Sequence, residues 1–535
     1  MKHKKPLIGT VLGLVLLLLA VYRLAFFKSA KDKVIALLQA NERLFVKGDT
    51  EKIVSRDLLQ KYYGIFGYNE AWTATDTSKA NYREMLKDML KHADSLGLNP
   101  ADYHGDFIAK YDSQSRLPGF DVEQFQQESE LVFTDAAVSF LFHVAYGKEI
   151  KTDYNGVKYH IDSARIMQAY HSIVTTRQWR SVLDTLEPRI KQYVLLKERL
   201  NSMKAFLRDF PEVDTLTVAD NENGKPAAAL KLRFYGIITD SLAQDSTGML
   251  QIARYIKDFQ RMMNVDTTGK TDAKTIALLN EPPGRRIAQI KESLNYWRWT
   301  GRLLEREFIL VNIPAARLQI VNHDSARDLS MKVIVGKQET QTPTFTAYIS
   351  KVIAYPYWNV PFSIATKEML PRIKKSIAYL EANNLQVLNN KGEVVNPHTI
   401  NWQKLSRSYF PYHIRQSTGC DNSLGVLKFE INSPFSIYLH DTNARNLFSR
   451  SNRFLSHGCI RLEKPMELAN YLLAGGLDSA TVAKLNQCLK DEKPTEFKLK
   501  KNFPVLILYM TADVDASGEL RFYNDIYKKE EKAAA

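Results

Sequence analysis

Residues Phe435–Pro465 read FSIYLHDTNARNLFSRSNRFLSHGCIRLEKP. An alternating β-branched and aromatic run ends on His440, a polar loop follows, and Cys459 comes nineteen residues after the histidine. His440 thus falls at the end of a strand, where a side chain can enter a cleft at a sheet edge. Gly458 permits a sharp turn ahead of the thiol, and Pro465 suits the first turn of the helix PMELANYLL. A helix start and an imidazole one loop away are expected to lower a thiol from about 8.5 to about 7 or below, which marks Cys459 as a nucleophile and His440 as its base. A buried structural thiol is the plainest alternative, but SHGC is polar and loop-like rather than part of an apolar stripe. Zinc would need His440, His457, Cys459 and Asp441 together without any CxxC or HxxxH spacing, so no metal is expected.

Working outward, the period of two extends over FILVNIP, ARLQIVN, MKVIVG, TFTAYISKVIAY and VLKFEI, which makes Phe308–His440 mainly a sheet. A long insertion at about 366–424 interrupts it, helical at IATKEMLPRIKKSIAYLEANN and loop-rich afterwards. Its length beside a catalytic sheet suggests a lid. Before the sheet the pattern is helical. Tyr82–Leu98 and Glu130–Gly147 place apolar residues three and four apart. The stretch SLGLNPADYH reads as cap and breaker chemistry, with Asp102 and His104 structural. ADNENGKP reads as a linker, and the short helices after it have too little area for much of a core, which favours binding over catalysis.

At the N-terminus a basic MKHKK precedes Leu7–Phe27, 21 residues of largely apolar sequence. As a helix this is about 31 Å, long enough for a hydrocarbon core of about 30 Å if Arg23 snorkels. The reading is a single-pass anchor with MKHKK in the cytoplasm and everything after it outside; a cleaved signal peptide is the rival, with a shorter apolar run and a cleavage site that is not evident here. The fold class is therefore multidomain α+β. Residues 1–30 form a tail and transmembrane anchor, 31–225 a helical domain, 226–283 a small helical module, 300–480 a mainly-β domain carrying the insertion, and 481–535 a C-terminal helix and strands packed on one of the larger domains. The 45% hydrophobic content excludes wholesale disorder. The net charge of +14 favours an anionic partner, and export argues against nucleic acid. Cys420, Cys459 and Cys488 are an odd number, so at least one is free or pairs with another chain; Cys420 with Cys488 is the candidate disulfide.

His440-Asp441-Thr442 followed by Ser456-His457-Gly458-Cys459-Ile460-Arg461-Leu462 resembles the signature of the L,D-transpeptidases with a YkuD-type catalytic domain. MKVIVGKQETQTPTF, YPYWNVPFSIA, the Asn422-x-x-Gly425 turn and SPFSIYLHDT resemble its flanks. LLQKYYGIFGYNEAW and LGLNPADYH are similar to the helical scaffold of the large membrane-anchored Gram-negative members, and TADVDASGELRFYNDIY to their C-terminal strands. Phe259-Gln260, Gly269-x-Thr271 and Ala277-Leu278-Leu279-Asn280 resemble a small peptidoglycan-binding domain.

The resemblance implies a cofactor-free enzyme of the inner membrane with its catalytic portion in the periplasm. Cys459 would attack the third-position diaminopimelate carbonyl of a tetrapeptide donor, release D-alanine, and pass the acyl group to a stem amine acceptor, giving a 3-3 cross-link. His440 would carry the protons, oriented by the backbone near Asp441, with His457 and Gly458 amides as oxyanion donors. Ser456, Arg461, Tyr357, Trp358 and Asn359 would contact substrate, and carbapenems would acylate Cys459. Hydrolysis of the stem, attachment of another protein to the wall, and a non-catalytic wall-binding scaffold are the competing functions. Papain-like and NlpC-like peptidases place cysteine before histidine, the reverse of the order here.

Overall fold

The computed structural model describes Leu38 and residues 43–529, apart from 47–48, 54, 69–70, 74–76, 115–121, 159–160, 220–223, 240–247, 302–306, 322–328, 474–475, 488–491 and 516. The Leu7–Phe27 segment lies outside the described residues. Among those described, no helix is long and apolar enough to cross a membrane. The chain forms two compact units, one from residues up to 148, 160–200 and 297–301, the other from 149–159, 201–296 and 302 onward.

The first unit is helical and is organised around Val122–Tyr146. This helix is enclosed by its neighbours: Leu131, Val132, Phe133, Val138, Phe140, Leu141 and Val144 are all buried, and so are Glu130 and Asp135. Its buried acids are satisfied by hydrogen bonds. Glu130 accepts the backbone N–H groups of Ala71, Trp72 and Thr73 and the Thr73 hydroxyl. Asp135 accepts the Ser55 N–H and pairs with His104 Nε2 at 2.9 Å. Asp102 pairs with Lys148. The conformation of His104 is left-handed, at φ +54°, so this short motif is a turn held by its own side chains.

The second unit holds the helices Lys225–Phe234, Gly248–Met262 and Ala273–Leu279. Phe259 is fully buried there, and the buried Gln260 amide bonds Thr268, Lys270 and Thr275 while accepting from the Gly269 N–H. The Phe-Gln pair and the glycine turn are thus mutually dependent.

The sheet region closes on itself. Its strands are β1 (Tyr154–Asn155), β2 (Phe308–Asn312), β3 (Arg317–Val321), β4 (Ser330–Gly336), β5 (Phe345–Ala354), β6 (Leu427–Ile431), β7 (Leu439–His440), β8 (Phe454–Ser456), β9 (Ile460–Leu462) and β10 (Thr495–Leu508). The ring runs β6-β7-β9-β4-β3-β2-β10-β5 and returns to β6. Alternate residues such as Ile309, Val311, Val333, Val335, Ala347, Ile349, Leu427, Phe429, Val505 and Ile507 fill its interior. β1 adds to the start of β5, where the Asp153 carboxylate accepts the Thr344 N–H and hydroxyl.

Two expectations about boundaries change. Residues 481–535 do not simply pack on a finished domain: β10 is a ring strand between β2 and β5, and without it the barrel would be open. The insertion is also more than helix and loop. Leu385–Leu388, Val394–Val395 and His413–Gln416 form a small sheet with Trp358–Asn359, and Met369, Leu370, Ile373, Leu380, Val387, Trp402 and Ile414 give it a core of its own. The strands are only two to four residues long, too short for alternation to register in sequence.

Candidate active site

β7 and β9 lie side by side in parallel, with Leu439 opposite Ile460 and His440 opposite Arg461. That register brings Cys459, one residue before β9, beside Tyr438, two residues before the histidine. His440 is buried, and its Nδ1 lies 2.5 Å from the Asp441 carbonyl oxygen. A carbonyl only accepts, so Nδ1 carries the proton and donates it, and Nε2 is left as the basic nitrogen. Burial, with the Arg461 charge adding to it, lowers the imidazole to about 3. Burial likewise pushes the half-buried Cys459 thiol up, against hydrogen bonds from Tyr438 and the charges of Lys428 and Arg461. The expected depressed thiol is therefore corrected. β9 intervenes between Cys459 and the helix at Pro465, and desolvation outweighs the nearby charges.

Tyr438 was not evident from the sequence, because a tyrosine in an alternating strand reads as core. Cys459 Sγ donates to the Ser436 carbonyl at 3.8 Å, while burial, with the Cys459 charge adding to it, pushes the Tyr438 phenol well above its ordinary value, against an interaction with Trp358. Its ring packs edge-on to His440 with centroids 5.8 Å apart, and Lys428 Nζ lies 4.4 Å from its centre.

The loop before the thiol is held internally. Ser456 is buried, donates to the Cys459 carbonyl at 2.6 Å, and accepts the Gly458 N–H at 3.1 Å. Ser456 thus shapes the loop, and one expectation is revised: the Gly458 amide, expected as an oxyanion donor, is taken by the Ser456 hydroxyl. The amides of His457 and Cys459 have no partner among the described residues. Gly458 is at φ +114°, a conformation that side chains resist. Thr340 donates to the Ser456 carbonyl and Thr342 to the Gly458 carbonyl. The Tyr527 hydroxyl in turn donates to the Gly336 carbonyl and accepts from the Thr342 N–H. None of these three supports stood out in the sequence, since each lies far from Cys459 along the chain.

The Asp441 side chain is buried away from the imidazole, accepting the Val426 N–H at 3.0 Å and pairing with Arg445. A Cβ on Gly425, at φ +59°, would sit 2.3 Å from the Asp441 carboxylate, so the Asn422-x-x-Gly425 turn exists to let that carboxylate approach. Asp441 thus orients the base through its carbonyl while its carboxylate fixes its own backbone.

Of the remaining candidates, Arg461 is half-buried and forms no ion pair among the described residues. Trp358 reaches the site through Tyr438. Tyr357 instead lies under the Arg415 guanidinium, 4.3 Å from it, and Asn359 is an exposed residue of the small sheet. His457 is exposed and its ring pairs with Glu368 of the insertion at 2.8 Å. Cys459 is free and Cys420 is disulfide-bonded. Cys488, the partner considered from the sequence, lies outside the described residues.

Residues 306–483 match the family of the L,D-transpeptidase catalytic domain, YkuD, and residues 57–200 match the scaffold domain family. A Haemophilus influenzae protein described as "Putative L,D-transpeptidase" is 38% identical over 219 residues, 41% of this chain and 44% of that relative. The match thus spans less than half of the relative's length. Both halves of the His440 and Cys459 signature lie inside the matched region, so residues 306–483 are a stretch similar to the YkuD family of L,D-transpeptidase catalytic domains.

Proposed function

We propose that this chain is a peptidoglycan L,D-transpeptidase that forms 3-3 cross-links through a Cys459 thioester. The observation that carries the reading is the Nδ1–H bond from His440 to the Asp441 carbonyl, which leaves Nε2 basic on the strand beside Cys459. The donor is a tetrapeptide stem. As sulfur attacks the diaminopimelate carbonyl, its proton passes to His440 Nε2, and the carbonyl oxygen moves onto the His457 and Cys459 amides. The same proton then leaves with the D-alanine amine, and a second stem amine resolves the thioester. Each oxyanion donor of this kind contributes about 3 kcal/mol. Arg461, without an ion-pair partner among the described residues, suits a substrate carboxylate. Residues Leu7–Phe27 anchor the chain in the cytoplasmic membrane with the catalytic unit in the periplasm, and carbapenems acylate the same thiol.

The test is incubation of the full chain in detergent with tetrapeptide muropeptides, followed by mass spectrometry. A dimer that has lost one D-alanine, absent with Cys459→Ala, is the expected product. Tripeptide monomers alone would make it a carboxypeptidase. No change relative to Cys459→Ala would leave a wall-binding scaffold.

A further inference from the structure

The insertion meets the nucleophile loop through a hydrogen-bonded pair. His457 Nε2 and Glu368 Oε1 are 2.8 Å apart, with side chains 38% and 44% exposed. Glu368 lies in a π-helical turn, Ala365–Met369, where the Leu370 N–H bonds the Ala365 carbonyl five residues back. Pro371 follows and lacks the N–H that would bond the Lys367 carbonyl, so the turn widens there. Glu368 Oε2 has no partner among the described residues.

An exposed pair of this kind adds about 0–1 kcal/mol to stability, too little for holding a lid to be its main effect. Its setting gives it another use. The charges acting on the thiol are the cations Lys428 and Arg461. Asp441 is buried and paired with Arg445. Glu368 is the carboxylate that a hydrogen bond ties to the loop carrying Cys459. A stem amine arrives at neutral pH as an ammonium, which that cationic site would repel.

We propose that Glu368 receives the ammonium of the acceptor stem, with His457 holding the carboxylate toward the thioester. This rests on the transpeptidase reading above. The bound ammonium gives one proton to water at the exposed edge, and the neutral nitrogen attacks the thioester carbon. Its second proton passes to His440 Nε2 and on to the departing sulfur, so an amide and a thiol form as the C–S bond breaks. Glu368 positions the acceptor and takes no part in bond making. His457 therefore acts through its side chain as well as its amide.

The experiment uses the full chain in detergent, a saturating tetrapeptide donor and varied acceptor stem, comparing Glu368→Gln, Glu368→Asp and His457→Gln with wild type. With Glu368→Gln the acceptor KM rises, and the dimer-to-tripeptide ratio falls, by about fivefold or more, as expected for losing a charged hydrogen bond. Glu368→Asp recovers part of the ratio, and His457→Gln lowers it to a smaller extent. A ratio unchanged in Glu368→Gln overturns the proposal, as does a rise confined to the donor KM, which would assign the carboxylate to the donor. If wild type releases no D-alanine, there is no thioester to resolve and both this proposal and the transpeptidase reading fall; an altered or unaltered ratio bears on this one alone.

Discussion

Burial sets the protonation states from which chemistry at Cys459 must start. His440 is lowered to about 3 and the thiol is raised, so at neutral pH both are uncharged and the proton must move during attack. A preformed thiolate–imidazolium pair would react with iodoacetamide at a nearly level rate across the acidic and neutral range. Here alkylation of Cys459 is instead expected to climb about tenfold per pH unit through neutrality and beyond pH 8, because the thiolate fraction does so while the thiol's pKa lies above. A plateau below pH 7, measured by mass spectrometry at Cys459, would contradict the neutral pair. Substituting His440→Gln keeps a hydrogen bond to Asp441 but removes the base, and D-alanine release should fall by about a hundredfold or more. The grouping of His440, Gly458 and Cys459 was legible because imidazole, glycine and thiol in that order constrain chemistry locally. The state of the thiol was not, since desolvation depends on strands that the loop itself does not contain.

At the scale of elements, short turns and single buried acids carry the arrangement. Gly425 allows Asp441 to approach, Asp441 fixes the backbone whose carbonyl holds His440, and the base therefore depends on a turn fifteen residues before it. Gly425→Ala combines a positive φ with a clash, so a loss of about 2 kcal/mol or more is expected, together with lower D-alanine release. Unfolding in urea and the release assay measure the two effects separately; an unchanged pair would mean that the turn does not support the base. In the helical unit Glu130 is raised to about 7, burial outweighing the N–H donors around it. A raised carboxylate makes the folded state hold a proton that the unfolded state gives up. Its contribution is favourable at pH 5 and is lost as pH climbs toward 7, at up to about 1.4 kcal/mol per unit. Hydrogen exchange at Ala71–Thr73, corrected for intrinsic rate, should show stronger protection at pH 5 than at pH 7.5, and Glu130→Gln should remove the difference. Equal protection in wild type would show that Glu130 stays ionised. The long helix was readable from its periodicity; Glu130 and Asp135 inside it were not, because an acid in a helical pattern is ordinarily a solvated residue.

Across the whole molecule, long periodic segments announced the helical and sheet halves, and the change of period near Phe308 marked their order along the chain. What sequence could not reveal was closure. β10 lies outside the matched catalytic residues, 306–483, yet it pairs in parallel with β2 and antiparallel with β5, and its Val505, Leu506, Ile507 and Leu508 are fully buried. A boundary drawn at residue 480 therefore falls inside the barrel, because pairing between strands so distant in sequence leaves no local trace. Truncation after Ala483 would expose two long sheet edges and remove Tyr527, which supports the turn beneath the nucleophile loop. The shortened chain should fail to give a cooperatively folded catalytic unit, seen as aggregation or loss of near-ultraviolet circular dichroism. Tyr527→Phe separates the two causes: it keeps the strand and loses the hydroxyl bonds to Gly336 and Thr342, so the fold should survive with about 1–2 kcal/mol less stability and slower D-alanine release. A soluble, cooperative chain ending at Ala483 with Cys459 alkylated at the full-length rate would mean that residues 306–483 are sufficient and that β10 only covers an edge.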